Sequence, residues 1–216
     1  MNCLVIAATP IEIDPLLERL RSGKDWPSGH SLDILITGIG LTATTYSLTR
    51  QLSLKRPDLV IQAGVGGCFD NRIPLGSVLA VKKEAIADQS VIELNRLKSL
   101  FDLKLVPQNK HPFHRGWLVN RDERLKLTGM KRVSGISVNE ISTSPRKIAF
   151  YREYFNPVVE SMEGAALHYV CLLEQVPFLQ LRSISNYIGE RNKKKWDLRD
   201  SITNLNRELI KLLEII

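Results

Sequence analysis

The sequence predicts an α/β fold of three layers, a mixed central β-sheet flanked by helices. Short β-branched apolar runs alternate with helical patterns through the first third, in the order β-α-β-α-β. Two of those runs end in glycine-rich stretches, Gly38-Ile39-Gly40 and Gly64-Val65-Gly66-Gly67. The chain finishes in an amphipathic helix over 197–216, with Ile202, Leu205, Leu209, Leu212, Leu213 and Ile216 at helical spacing.

Residues 3–8 form an apolar run that reads as a buried strand, and Ile13, Leu16, Leu17 and Leu20 mark a helix over 11–20. A strand over 32–36 leads into the first glycine stretch, and a helix follows over 42–54. Pro57-Asp58 introduces a strand over 59–63, which ends in the second glycine stretch, taken as a turn. Residues 76–88 carry a longer strand around Val78 to Val81, and 89–116 read as an irregular surface excursion containing Pro107 and Pro112. A strand over 131–138, helices over 146–154 and 162–174, and a strand over 176–183 complete the pattern. No repeat or linker interrupts it, and 216 residues suit one domain.

Composition narrows the function classes. No apolar run of about 18 residues exists, so no membrane span is expected. The N-terminal segment lacks a basic leader and soon meets Glu12 and Asp14, so it reads as a strand and not as a signal peptide. Three scattered cysteines, Cys3, Cys68 and Cys171, point to reduced thiols in a cytoplasmic protein and give no zinc spacing. The histidines are His30, His111, His114 and His168; His111-Pro112-Phe113-His114 excludes a helical metal pair. The net charge of +7 is spread along the chain, apart from Arg191 and Lys193-Lys194-Lys195, which favours a basic surface over a nucleic-acid platform. Neither glycine stretch completes a dinucleotide or triphosphate-binding pattern.

Two carboxylates stand out. Glu12 follows the first strand at the start of a helix. Glu163 opens an apolar helix within Ser161-Met162-Glu163-Gly164-Ala165-Ala166, where a lone buried charge is expensive unless paired or functional. Each alone suits the positive end of a helix dipole. Together, at strand-to-helix junctions of one sheet, they are the groups that water activation and stabilisation of a cationic sugar require.

These segments resemble, in order and spacing, the purine nucleoside phosphorylase and methylthioadenosine/S-adenosylhomocysteine nucleosidase superfamily. The resemblance rests on Ala7-Ala8-Thr9-Pro10-Ile11-Glu12, Gly38-Ile39-Gly40, residues 58–67, Met162-Glu163 and residues 177–186. It implies a nucleoside phosphorylase-like fold, Glu12 as the base for an attacking water and Glu163 as the acceptor of the ribose 2′-hydroxyl. It further implies Met162 against the sugar, Val65, Gly66 and Ile141 around base and ribose, and neither metal nor organic cofactor. Phosphorylases of the superfamily begin instead with Gly-Asp-Pro, so hydrolysis is favoured over phosphorolysis.

One departure refines this. The adenine-releasing branch ends its last strand in Ser-Asp, whereas this chain has Ser185-Asn186. Asn186 cannot act as an acid, but its amide offers a donor to a 6-oxo group. Residues 186–196, running from Asn186 through Arg191 to Trp196, resemble the signature of futalosine hydrolases, which cleave an inosine-type nucleoside with a carboxyphenyl tail in menaquinone biosynthesis. Arg191 would then pair with the carboxylate and Trp196 would stack on the tail. The expectation is futalosine hydrolysis by a cytoplasmic homo-oligomer, a dimer or larger, with a small-molecule nucleoside as partner and neither nucleic acid nor membrane. An adenine-releasing nucleosidase, a 6-oxopurine phosphorylase and a non-catalytic nucleic-acid-binding protein stay open beside it.

Overall fold

A computed structural model describes residues 1–23 and 31–216, so His30 lies outside the described residues. Among the described residues, eleven strands and six α-helices follow one another. They are β1 (Asn2–Ala7), α1 (Asp14–Arg21), β2 (Ser31–Ile36), α2 (Leu41–Leu54), β3 (Leu59–Cys68), β4 (Val78–Ile86), β5 (Ser90–Glu93), β6 (Arg96–Ser99), β7 (Phe113–His114) and β8 (Trp117–Val119). Then come α3 (Arg124–Leu127), β9 (Arg132–Ser137), α4 (Pro145–Phe155), β10 (Val159–Ser161), α5 (Gly164–Leu173), β11 (Phe178–Tyr187) and α6 (Leu198–Ile215). No helix of the described residues is long and apolar enough to cross a membrane.

The sheet is mixed, as the sequence predicts. β2, β1, β3 and β11 run parallel in that order. β11 then pairs antiparallel with β4, β4 parallel with β9, β9 parallel with β10, and β10 antiparallel with β3. The last pairing closes a ring of five strands. All five fill its inside: Cys68, Leu79, Val81, Val133, Val159 and Ile184 form one apolar cluster.

Alternation along the strands sets the layers. Cys3, Val5 and Ala7 of β1, Leu59, Ile61 and Ala63 of β3, and Leu179 and Leu181 of β11 face α1 and α6. Leu4, Ile6, Val60 and Phe178 face α2 and α5 on the other side. Gln62, Gln180 and Arg182 continue the α5-facing parity, so a buried polar strip is laid under the start of that helix.

The structure changes three expectations. The stretch Gly64-Val65-Gly66-Gly67 is not a turn: it is the second half of β3, paired with β11 and β10. Glycine is demanded there by close approach, since a Cβ at Gly64 would collide with Arg182 Nη1 and lie 2.9 Å from Glu12 Oε1. Glu12 lies on a short 3-10 turn, Pro10–Ile13, and the α-helix begins only at Asp14. The excursion 89–116 holds the β5–β6 hairpin and β7, which pairs with β8.

Candidate active site

Glu12 and Glu163 converge through one arginine. Arg182, 1% exposed, projects from β11. Its Nη1 lies 3.3 Å from Glu163 Oε2, its Nη2 donates to Gln62 Oε1 at 2.9 Å, and Nη1 also donates to the Val65 carbonyl at 3.3 Å. Val65 N–H in turn donates to Glu12 Oε1 at 3.1 Å. Backbone and guanidinium thus hold both carboxylates against the middle of β3.

Local structure orients each carboxylate. Thr9 and Glu12 form a capping box over the 3-10 turn, with Thr9 N–H donating to Glu12 Oε2 at 3.1 Å. Asn206 of α6 donates to the Glu12 carbonyl at 2.9 Å and accepts from Leu16 N–H, fixing this turn from below. Glu163 is the N-cap of α5, and its Oε1 accepts from Gly40 N–H at 3.1 Å. Gly40 has φ of 91°, a conformation that glycine adopts without a Cβ clash and that turns its N–H toward α5. Burial raises the Glu12 carboxyl above its ordinary value; the Arg182 charge and the Val65 N–H oppose this.

A second layer supports the first. Glu84 of β4 is fully buried. Its Oε1 accepts from Gln180 Nε2 at 2.9 Å and its Oε2 from Ser137 Oγ at 3.2 Å. Ser137 Oγ accepts from Ala165 N–H at 2.8 Å, which ties Glu84 to the first turn of α5 and so to Glu163. Burial raises the Glu84 carboxyl to about 7 against the pull of Gln180 and Arg182. His168, buried on α5 with Nδ1 3.1 Å from the Leu118 carbonyl, is pushed down to about 4 by desolvation and is neutral at pH 7.

The other expected residues fall as follows. Val65 touches both Glu12 and Arg182, and Gly66 follows it, where a Cβ would sit 3.0 Å from the Glu160 carbonyl. Met162 is half-buried beside Glu163, and Ile141 is exposed on the loop after β9. Asn186 lies near the end of β11; its Oδ1 accepts from Ser185 Oγ at 2.9 Å and its Nδ2 donates to the Tyr187 carbonyl at 3.2 Å. Asp197 N–H donates to the Ser185 carbonyl at 2.8 Å, and Trp196 Nε1 donates to the Glu190 carbonyl at 3.1 Å. Arg191 is exposed, with its guanidinium 5.9 Å from the Trp196 ring centre. Arg182, Gln62, Glu84 and Gln180 were not singled out from the sequence. Their signal was a polar side chain inside an otherwise apolar strand.

Comparison with known proteins places the chain in a family. The profile of the Phosphorylase superfamily matches residues 4–216. A futalosine hydrolase of Thermus thermophilus is 26% identical over 188 residues, covering 86% of this chain and 82% of that protein. A 5′-methylthioadenosine/S-adenosylhomocysteine nucleosidase of Bacillus cereus is 26% identical over 233 residues, covering 99% of each. The crystal structure of the Helicobacter pylori 5′-methylthioadenosine/S-adenosylhomocysteine nucleosidase with butyl-thio-DADMe-Immucillin-A superposes with a TM-score of 0.82 at 20% identity, covering 100% of this chain and 99% of that one. The chain belongs to the phosphorylase superfamily.

Glu84 makes stability depend on pH. The folded protein holds the Glu84 proton more tightly than the unfolded chain, from an ordinary 4.5 to about 7. Its contribution is therefore complete below pH 4.5 and is lost as pH rises through about 7. Glu84→Gln, which keeps the shape, should gain on the parent by about 3 kcal/mol between these limits, measured by urea unfolding. Parallel pH profiles of the two proteins would contradict the assignment.

Proposed function

We propose that this protein hydrolyses the N-glycosidic bond of futalosine, releasing hypoxanthine and leaving the free sugar of the carboxyphenyl-bearing product. The observation that carries the reading is the convergence of Glu12 and Glu163 on Arg182 and Val65, with Asn186 at the end of the same sheet.

Each residue then has a task. Glu12, with its carboxyl raised by burial, takes a proton from water as it attacks the anomeric carbon; the C–N bond to the base breaks, and the leaving purine takes its proton from solvent. Glu163 accepts the ribose 2′-hydroxyl, and its charge stabilises the oxocarbenium-like transition state. Because Gly40 and Arg182 already fix its oxygens, little reorganisation accompanies charge development. Val65, Gly66, Ile141 and Met162 surround base and sugar. Asn186 presents its amide donor to the 6-oxo group, and no acid at that position is used.

A groove of about 950 Å³ adjoins the first turns of α2 and α5 and is lined by Leu41, Phe101, Phe113, Ala165 and Tyr169. Its volume and aromatic walls suit the tail of such a nucleoside. Arg191 and Trp196 are the further candidates for contact with the carboxyphenyl group. The protein is proposed to act in the cytoplasm as a homo-oligomer, on a small-molecule nucleoside. Adenine release from methylthioadenosine is the rival activity, since a nucleosidase of that kind is as similar in sequence.

Chromatography of free purine after incubation with futalosine, inosine and methylthioadenosine should show hypoxanthine from futalosine, with phosphate present or absent. Adenine from methylthioadenosine alone would replace the reading with its rival. Glu12→Gln should lower turnover by roughly 1000-fold with folding intact, and the acidic limb of kcat/KM in the parent should lie above the ordinary glutamate range. Asn186→Asp should move preference toward 6-amino nucleosides; unchanged preference would remove Asn186 from base selection.

A further inference from the structure

Beneath the two site carboxylates, a row of buried polar side chains runs from Leu118 to the first turn of α5. His168 Nδ1 meets the Leu118 carbonyl, Gln180 meets Glu84 Oε1, and Ser137 joins Glu84 Oε2 to Ala165 N–H. With Gln180 Nε2 donating to Glu84, two buried atoms of this row have no partner, Gln180 Oε1 and His168 Nε2. These two side chains face each other. They therefore meet acceptor against acceptor, an arrangement that is costly in a site without water.

The roles in this row are fixed from one backbone atom outward. The Leu118 carbonyl only accepts, so His168 Nδ1, 3.1 Å away, carries the ring proton. Burial keeps the imidazole neutral, so Nε2 has no proton and needs a donor. The Gln180 amide supplies one when it is turned over, which exchanges its nitrogen and its oxygen. That oxygen then faces Glu84 Oε1, and the contact is a hydrogen bond only when the carboxyl group holds a proton. Ser137 Oγ donates to Oε2 and accepts from Ala165 N–H, which leaves Oε1 as the place for the proton. With Glu84 neutral, every side-chain atom named in the row has a partner; with Glu84 ionised, Gln180 and His168 lose theirs.

We propose that neutral Glu84 is a positioning residue for the cleavage reaction: its proton locks Gln180 and His168 together, and its lack of charge leaves Arg182 to Glu163 alone. The charged groups that face Glu84 are Arg182 of β11 and Glu163 at the start of α5, with His168 of α5 beyond Gln180. β9 contributes Ser137. The fit is close, since a Cβ on Gly164, next to Glu163, or on Gly135 of β9 would collide with Glu84 Oε1. Loss of the proton sets a second carboxylate beside the Arg182–Glu163 pair, where it repels Glu163 and competes for the guanidinium. Glu163 is then held less firmly where the ribose 2′-hydroxyl is proposed to meet it. Activity is present while Glu84 is protonated and falls as pH rises through about 7. This inference rests on the nucleoside-cleaving reading above and deepens it, because it names the group that sets the alkaline limit of the site.

Spectroscopy and kinetics test it separately. Nitrogen magnetic resonance of the parent protein in mildly acidic buffer should show the His168 proton on Nδ1 and none on Nε2. Infrared difference spectra between acidic and alkaline buffer should show the band of a protonated carboxyl group, lost with a midpoint near 7 and missing from Glu84→Gln. In the rate of purine release, kcat of the parent should fall by at least about tenfold on the alkaline side. In Glu84→Gln the amide oxygen stays on Ser137 and the N–H₂ donates to the turned Gln180, so the row stays paired at every pH and the alkaline fall should vanish. An equal alkaline fall in Glu84→Gln, or a His168 proton on Nε2, would overturn the role of Glu84 and leave the nucleosidase reading standing. No purine release at any pH, with the carboxyl band and the His168 proton as expected, would overturn the function on which that role rests.

Discussion

The buried ion pair between Arg182 and Glu163 is the constraint on which the rest of the site depends. Both side chains are out of water, so their attraction must offset a desolvation cost of several kcal/mol for each ion. It does so with added hydrogen bonds: Gln62 and the Val65 carbonyl accept from the guanidinium, and Gly40 N–H donates to the carboxylate. The pair comes from β11 and the start of α5, and its partners from β3 and the start of α2. The need to seat Arg182 against β3 explains why Gly64 has no side chain. The same stretch of β3 gives Glu12 its Val65 donor, so the two carboxylates share one rigid support.

The polar strip behind this pair is part of the same arrangement. Glu84, Gln180, Ser137 and His168 lie between sheet and α5, where an apolar core would ordinarily run. Their bonds fix the first turn of α5, which carries Glu163 as its N-cap. The bonds from Gln180 and Ser137 to Glu84, and from Ala165 N–H to Ser137, favour one arrangement of that turn. Here the result is a carboxylate whose position is set before any sugar arrives, the condition for electrostatic stabilisation without reorganisation.

Much of the fold was legible in the chain because its strands are buried on both faces and its helices are amphipathic. Residues 3–8 are an unbroken apolar run, 59–63 are apolar apart from Gln62, and the terminal helix shows its stripe plainly. The glycine stretch 64–67 was misread as a turn because glycine has two uses, and only the three-dimensional crowding by Arg182 and Glu12 tells them apart. Closure of the five-stranded ring was invisible because β10 is three residues long. Of the proposed site residues, Glu12, Glu163 and Asn186 were named from position and resemblance. Arg182 and Glu84, which hold the carboxylates and the start of α5, were given no role, since a charged residue within a strand is interpretable only once its facing neighbours are known. Arg191 is exposed, with its guanidinium over Trp196.

The proposed function has water as the nucleophile and Glu12 as its base. The most direct measurement is the sugar product formed from futalosine in buffer containing inorganic phosphate, followed by phosphorus magnetic resonance and mass spectrometry. The account predicts a free sugar and no new phosphate ester. A sugar 1-phosphate, formed in step with hypoxanthine, would contradict it.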